Sequence, residues 1–206
     1  MKYLIADRNK IIHETYTNNI PKKFKINGIE LYLNKYTLIP HPDTLQLIQI
    51  AELILEKNNW LKKVADVGTG SGIIAISLAM KFPTKTFYAS DISNKVLELA
   101  KLNSILNNAK NINFLKNTDK NWLSEYKIKR VDFIISNPPF VGEDEFNSER
   151  FLSLYPEVKM EPKRAIIVLN DRIGLSPYLQ IIRNSNKNKT KLYLFQCNSK
   201  NINNLI

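Results

Sequence analysis

Residues 63–79 read KVADVGTGSGIIAISLA, and this stretch decides the fold. Lys63–Val67 is a short apolar strand that carries one acid, Asp66, and Ile73–Met80 opens an apolar helix. Between them lies the turn Gly68-Thr69-Gly70-Ser71-Gly72. Glycines at such a turn permit backbone conformations closed to other residues and let a ligand approach the main chain. The helix N-terminus behind the turn offers backbone N–H groups and the positive end of the helix dipole. A ligand carboxylate is favoured there, and Asp66 can take a neighbouring ammonium group. The glycines are spaced G-x-G-x-G rather than G-x-G-x-x-G, and no Gly-Lys-Ser/Thr follows, which excludes a P-loop.

Towards the C-terminus the strand and helix pattern recurs. Thr86–Ala89 is a second strand, closing at Asp91, and Asn94–Asn107 reads as a helix. Ile112–Leu115 is a third strand, and Val131–Ser136 is a fourth, continuous and apolar as expected of a strand covered on both faces. Leu175–Arg183 reads as a helix and Lys191–Gln196 as a fifth strand. Such alternation predicts an α/β fold, a parallel sheet wrapped by helices on both faces. Asp91 closes the second strand, where an acidic side chain can accept hydrogen bonds from ribose hydroxyls. That role serves a dinucleotide and S-adenosyl-L-methionine alike.

The fourth strand runs into Asn137-Pro138-Pro139-Phe140, and these four residues separate the two cofactors. Ligands of open α/β sheets bind at the carboxyl ends of strands. Two prolines fix their own φ and restrict the residue before them, so Asn137 and its neighbouring carbonyls are held rigidly. An incoming –NH₂ group can donate one hydrogen to the Asn137 side-chain oxygen and one to the Pro138 carbonyl. Phe140 can stack on a planar amide or base. No strong base is required, because a sulfonium methyl donor is already activated and positioning supplies most of the rate. The combination implies methyl transfer to an amide-type or amine-type nitrogen.

Before residue 63, FKINGIELYL has alternating apolar residues around Asn27-Gly28, a strong hairpin signal, and the first forty residues read as a short β preface. Asp43 or Thr44 is expected to cap a helix whose apolar face carries Leu45, Leu47, Ile48, Ala51, Leu53, Ile54 and Leu55. The division expected is an N-terminal extension with a β-hairpin over 1–42 and a catalytic domain over 43–206. GEDEFNSE, residues 142–149, reads as a solvated acidic loop, with a lid over the substrate as the other reading.

The whole chain has 206 residues, 44% hydrophobic and 24% charged, ordinary values for one globular domain. No run of about 18 apolar residues occurs, so no membrane partner is expected. With one cysteine, Cys197, no intrachain disulfide can form, no metal is expected, and a cytoplasmic setting is the default. The net charge of +11 admits a nucleic-acid partner, although its lysines are spread along the chain, densest at Lys22, Lys23 and Lys25 and at Lys187, Lys189 and Lys191.

Four segments together resemble the HemK/PrmC-type glutamine N5-methyltransferases that modify peptide-chain release factors. YTLIPHPD at 36–43 is similar to the family's L-I-P-R-P-E-T stretch, VADVGTGSGIIAISLA to its cofactor motif, and NPPF to its N-P-P-[YF] motif. Glu161-Pro162-x-x-Ala165 with Gly174-Leu175-x-x-Tyr178 resembles its E-P-x-x-A-L and G-L-x-x-Y region. The N-P-P-[YF] motif alone is shared with nucleic-acid adenine N6-methyltransferases. The resemblance implies a Rossmann-like class I methyltransferase sheet. It also implies cofactor contacts at Gly68–Gly72, Asp91 and Trp122, and substrate-amide contacts at Asn137, Pro138, Pro139 and Phe140.

The departures raise their own expectations. His41 replaces the family's arginine and Asp43 its glutamate, and His41 reads as a loop residue without a chemical role. His13 reads as a surface residue. The family's N-terminal helical domain is not recognised, and a C-terminally shortened sheet of five strands with an open edge is expected. An open edge invites a second copy of the chain, a partner subunit, or coverage by the hairpin. The readings carried forward are therefore release factor glutamine methylation, RNA adenine N6-methylation, and a catalytically reduced cofactor-binding subunit.

Overall fold

The computed structural model describes residues 8–17, 20–118, 130–185 and 189–197. Its centre is a parallel sheet of five strands: β3 (Lys63–Val67), β4 (Thr86–Asp91), β5 (Ile112–Lys116), β6 (Phe133–Ser136) and β9 (Leu192–Phe195), in the order β5-β4-β3-β6-β9. The expected α/β sheet is borne out.

The buried strands turn alternate residues to opposite faces, the period-2 signature of a sheet. Val64, Phe133 and Ile135 pack on one face with Phe87 and with residues of α2 (Pro42–Lys57) and α3 (Ile73–Lys81). Ala65, Val67 and Ile134 face the other way, where Ile181 of α7 (Ser176–Ser185) covers them.

This strand order decides where a ligand can sit. The chain passes from β3 outward to β4 and β5, then returns to pair β6 on the opposite side of β3. The switch opens a crevice at the carboxyl ends of β3 and β6. The glycine turn leaves β3 and Asn137 leaves β6, so the two motifs meet in that crevice. The register aligns these ends: Val67 stands opposite Ser90, and Asp66 opposite Ile135.

The hairpin pairs β1 (Lys22–Ile26) with β2 (Ile29–Leu33) around Asn27 and Gly28, both at positive φ, as a tight two-residue turn requires. It does not cover an edge of the central sheet. Instead β2 lies along α4 (Asn94–Leu106), whose C-terminal end presents two carboxamides to its main chain. Asn103 accepts from the Tyr32 N–H at 2.7 Å and donates to the Tyr32 carbonyl at 3.0 Å. Asn107 makes the same pair of bonds with Glu30. Four helical residues advance about 6 Å, and two strand residues advance about 6.7 Å, so the two side chains match alternate strand positions. In this way a helix serves the hairpin as a neighbouring strand would.

Several expectations need correction. The first forty residues contain a helix, α1 (Arg8–Tyr16), which buries Ile11 and Ile12 in the main core. Their adjacency in the sequence conceals the helical period. α2 begins at Pro42 with His41 as its N-cap and no side-chain cap, so neither Asp43 nor Thr44 caps it. Proline at the first helical position removes an N–H that would have no partner there. Leu53 points outward, while Thr44 joins the buried face. The acidic stretch after Asn137 is not a plain solvated loop. It holds a short strand β7 (Val141–Gly142) and two short helices, α5 (Glu143–Phe146) and α6 (Glu149–Leu154), which bury Phe146 and Phe151. β7 pairs with β8 (Ile167–Val168), and these pieces enclose a small apolar cluster of their own. No described helix is long and apolar enough to cross a membrane.

Candidate active site

Two hollows lie side by side at the carboxyl ends of the strands. The first, about 660 Å³, is lined by Gly68, Thr69, Gly70, Ser71, Ile73, Ile74, Asp91 and Pro139, with Tyr36, Lys95, Lys163 and Arg164 at its border. The second, about 420 Å³, is lined by aromatic and aliphatic side chains including Phe140, Phe151, Tyr155 and Val158, together with His41, Asp43, Glu145 and Glu161. They are called the glycine hollow and the aromatic hollow below. Leu38, Asn137 and Ala165 line both.

The glycine turn is held from behind. The N–H groups of Gly68 and Thr69 both donate to the Ser90 carbonyl, at 2.8 and 2.9 Å, which ties the turn to the end of β4. Gly68, Gly70 and Gly72 all have positive φ. At Gly72, which precedes α3, a side chain would also meet Ile76 Cδ1 at 3.0 Å and Ala100 Cβ at 3.3 Å. Asn103 reaches this turn as well, donating to the Ser71 carbonyl at 2.8 Å.

The two acids play different structural parts. Asp66 is 1% exposed and lies beneath the turn. One of its oxygens, Oδ2, accepts from the Thr69 hydroxyl at 2.6 Å and from the Ala75 N–H at 3.2 Å. Its other oxygen, Oδ1, is buried with no hydrogen-bond partner among the described residues. Burial raises the Asp66 carboxyl to about 7, against the opposing pull of Thr69 and Ala75. Asp91 sits at the hollow's surface, where Oδ2 accepts from the Gly70 N–H and Oδ1 from the Ser93 N–H. Burial pushes its carboxyl upward too, partly offset by those two N–H donors.

Asn137 occupies the wall between the hollows. Its amide nitrogen donates to Thr44 Oγ1 at 3.0 Å, and that hydroxyl in turn donates to Gln196 Oε1 at 3.3 Å. The amide is thereby oriented, and Oδ1 is the atom left to accept. Thr44, which also lines the glycine hollow, and Gln196, which lines the aromatic one, escape sequence reading because their link to Asn137 is tertiary, spanning 93 residues from Thr44. Pro138 is buried and Pro139 borders the glycine hollow, while Phe140 borders the aromatic one. The expected contact at Trp122 lies outside the described residues.

The segment after Phe140 is pinned by a turn far along the chain. A side chain at Gly174 would meet the Phe140 carbonyl oxygen at 2.3 Å, and one at Gly142 would meet the Arg172 carbonyl oxygen at 1.9 Å. Asp171 shapes this turn by accepting from the N–H groups of Ile173, Gly174 and Ser176. Burial works against its charged form, but those donors win and hold the Asp171 carboxyl below its ordinary range. His41, read as a loop residue without a role, instead stands in the aromatic wall beside Glu161. His13 is exposed on α1.

Comparison with known proteins agrees with this geometry. The methyltransferase small domain family matches residues 49–189. The release factor glutamine methyltransferase of Flavobacterium psychrophilum is 42% identical over 120 residues, covering 55% of this chain and 40% of that protein. The protein of the same name from Streptococcus pneumoniae is 36% identical over 174 residues, covering 81% of this chain and 56% of its own. This chain thus spans about half the length of the curated relatives it matches, between 40% and 56% for these two. Among solved structures, the N-terminal domain of human METTL16 in complex with SAH superposes with a TM-score of 0.61 at 21% identity, over 86% of this chain and 64% of that one. That likeness shows the fold. The resemblance to HemK/PrmC-type enzymes is borne out by the relatives, and S-adenosyl-L-methionine as cofactor by the family itself. A parallel sheet with a glycine turn after β3 and an asparagine-proline pair after β6 has found its kin: the chain belongs to the methyltransferase small domain family.

Proposed function

We propose that this chain is an S-adenosyl-L-methionine-dependent methyltransferase whose acceptor is the side-chain amide of a glutamine in a peptide-chain release factor. One observation carries the reading. Asn137 stands in the wall common to the two hollows with its amide nitrogen committed to Thr44. Its oxygen therefore remains for an N–H of the incoming amide.

The glycine hollow fits the cofactor by its donor set. Gly68 and Gly70 have open space where a Cβ would stand, so a ligand can rest on their backbone. The turn Gly68-Thr69-Gly70-Ser71-Gly72 and the N-terminus of α3 favour a carboxylate. The unpartnered oxygen of Asp66 suits an ammonium, and Asp91, at the hollow's surface, suits ribose hydroxyls. When bound, S-adenosyl-L-methionine supplies a methyl group already activated as a sulfonium. The work left to the chain is placement. Asn137 Oδ1 and the Pro138 carbonyl hold the two acceptor hydrogens, which leaves the nitrogen lone pair directed through the shared wall. Phe140 and Pro139 flank the amide plane and exclude water. In this reading residues 43–206 form the methyltransferase domain and 1–42 an extension.

The charged lining of the aromatic hollow supports a protein rather than a polyanion: Asp43 and Glu145 stand beside Arg150, and Glu161 is paired with Arg8, so no basic surface results. The names of the relatives support the release factor. A second reading, adenine N6-methylation of RNA, draws on the net charge of +11 and on Lys95, Lys163 and Arg164 beside the glycine hollow. Transfer of tritiated methyl, with purified release factor and total RNA offered side by side and Asn137→Ala as control, tests both. Label on the release factor that the control loses is the expected result. Label on RNA alone would overturn the leading reading. Cofactor binding with label on neither would favour a catalytically reduced partner subunit.

A further inference from the structure

Glu161 is 3% exposed and lies in the wall of the aromatic hollow, at the start of the segment that also lines the glycine hollow. A carboxylate at that depth requires a positive partner, since an uncompensated buried charge is strongly destabilising. The partner comes from α1. Arg8 Nη2 lies 2.9 Å from Glu161 Oε1 and 2.5 Å from His41 Nε2, and His41 Nε2 is 3.6 Å from the same carboxylate oxygen. With the Arg8 guanidinium donating to it, His41 Nε2 acts as an acceptor, so the guanidinium is the group that faces Glu161 with a charge.

Helix α1 is itself fixed in place. Ile11, Ile12 and Thr15 are buried, and the Tyr16 hydroxyl donates to the Thr37 carbonyl at 3.0 Å. Thr37 and Leu38 belong to the segment between hairpin and α2 that borders both hollows. Burial pushes the Tyr16 hydroxyl far above its ordinary range, with Glu161 adding to the push. Its proton is therefore securely held for that bond.

We infer that Arg8 supplies from α1 the guanidinium that compensates Glu161, and so acts as the positioning residue for the Glu161 wall of the acceptor hollow. This rests on the aromatic hollow's being the acceptor site. The neutral side chain of Arg8→Ala would leave Glu161 buried beside a lone imidazole. The wall would yield, and the acceptor would be presented off line to Asn137 while the glycine hollow keeps its shape.

Two measurements on the full chain separate this inference from the acceptor assignment. Cys197 is the sole cysteine and lines the same hollow, so its labelling rate by a neutral maleimide reports the wall without any acceptor. Arg8→Ala should speed labelling about threefold or more through local opening. Adding His41→Arg to that variant should restore the original rate, and Glu161→Gln should make the loss of Arg8 inconsequential. With release factor as acceptor, Arg8→Ala should raise the acceptor KM about tenfold and leave cofactor Kd unchanged, again with rescue by His41→Arg. Unchanged labelling in Arg8→Ala, or a labelling change that His41→Arg does not reverse, would overturn the role of Arg8. A wild-type chain that transfers nothing to the release factor, yet shows the labelling pattern and its rescue, would remove the acceptor assignment and leave the role of Arg8 standing.

Discussion

The glycine hollow and the aromatic hollow share a wall but are built on different principles. The glycine hollow is made at strand ends. Its turn is fastened to the Ser90 carbonyl of β4, its acid Asp91 accepts from the turn itself, and its floor is the parallel sheet. The aromatic hollow is made mostly of short pieces outside the central sheet, with Asn137, Gln196 and Cys197 reaching it from the ends of β6 and β9. α5, α6 and the paired strands β7 and β8 hold each other through a small apolar cluster, and the Arg8–Glu161 ion pair ties the neighbouring wall to α1. The first gains its precision from main-chain hydrogen bonds in a regular lattice. The second gains it from one two-residue strand pair and a few side-chain contacts, each of which can be lost alone. The difference teaches that cofactor binding should survive many single substitutions that ruin acceptor presentation.

The sharpest attempt to break this contrast is Asn137→Ala at the shared wall. Transfer should fall about a hundredfold to a thousandfold, the scale seen when one group that orients charge or hydrogen bonds at a reacting centre is removed. Cofactor affinity, measured by equilibrium dialysis, should fall far less. Equal losses in both would mean that the wall does not separate two functions.

Gly174→Ala attacks the aromatic side alone. Gly174 has φ 75°, and its added Cβ would strike the Phe140 carbonyl oxygen. We expect a loss of about 2–4 kcal/mol in denaturant unfolding and a raised acceptor KM, with cofactor binding retained. Retained acceptor kinetics would show that the 171–174 turn does not set the position of Phe140.

Asp66 sharpens the contrast from the glycine side. Its folded carboxyl titrates near 7, above the ordinary value of 3.8. Between those values the native state holds a proton that the unfolded chain has released. The stability from this group is thus present at low pH and lost as pH rises towards and through 7, by up to about 1.4 kcal/mol per pH unit. Asp66→Asn retains an oxygen for Thr69 and Ala75 but has no proton to lose. Thermal unfolding of the variant should lack this part of the decline between pH 5 and pH 7. An identical pH profile in both proteins would refute the raised carboxyl.

The smallest effect belongs to Thr44→Val, which removes the anchor of the Asn137 amide and keeps the shape of α2. Turnover should drop severalfold, to about tenfold, through misorientation alone. Thermal stability should move little, and cofactor Kd less than turnover, because valine keeps the shape of Thr44 where it lines the glycine hollow.

The same contrast explains what the sequence reveals. The five strands, the glycine turn, Asp91 and Asn137 through Phe140 each sit within a few residues of the element that positions them, so period and turn chemistry expose them. The aromatic hollow depends on partners far apart in the chain. Arg8 meets Glu161 across 153 residues, and Gly174 meets the Phe140 carbonyl from a turn whose glycine looks like any other. α1 shows the same limit, because Ile11 and Ile12 stand side by side and give no helical rhythm. Thr44 reads as a cap for its own helix, whereas its hydroxyl serves a residue on another element. In each case the deciding contact is tertiary and leaves no local trace.

The grip of α4 on the hairpin has a consequence for how this chain can vary. Asn103 and Asn107 read only the main chain at Tyr32 and Glu30, so those two positions are unconstrained by this contact and can drift freely. The asparagines cannot drift with them. Aspartate would lose the donors, glutamine would overshoot, and Asn103 would also release Ser71 in the turn. An extended segment that keeps the buried apolar residues of Ile29, Leu31 and Leu33 should therefore be able to occupy the place of β2 with any side chains at positions 30 and 32, provided α4 is untouched.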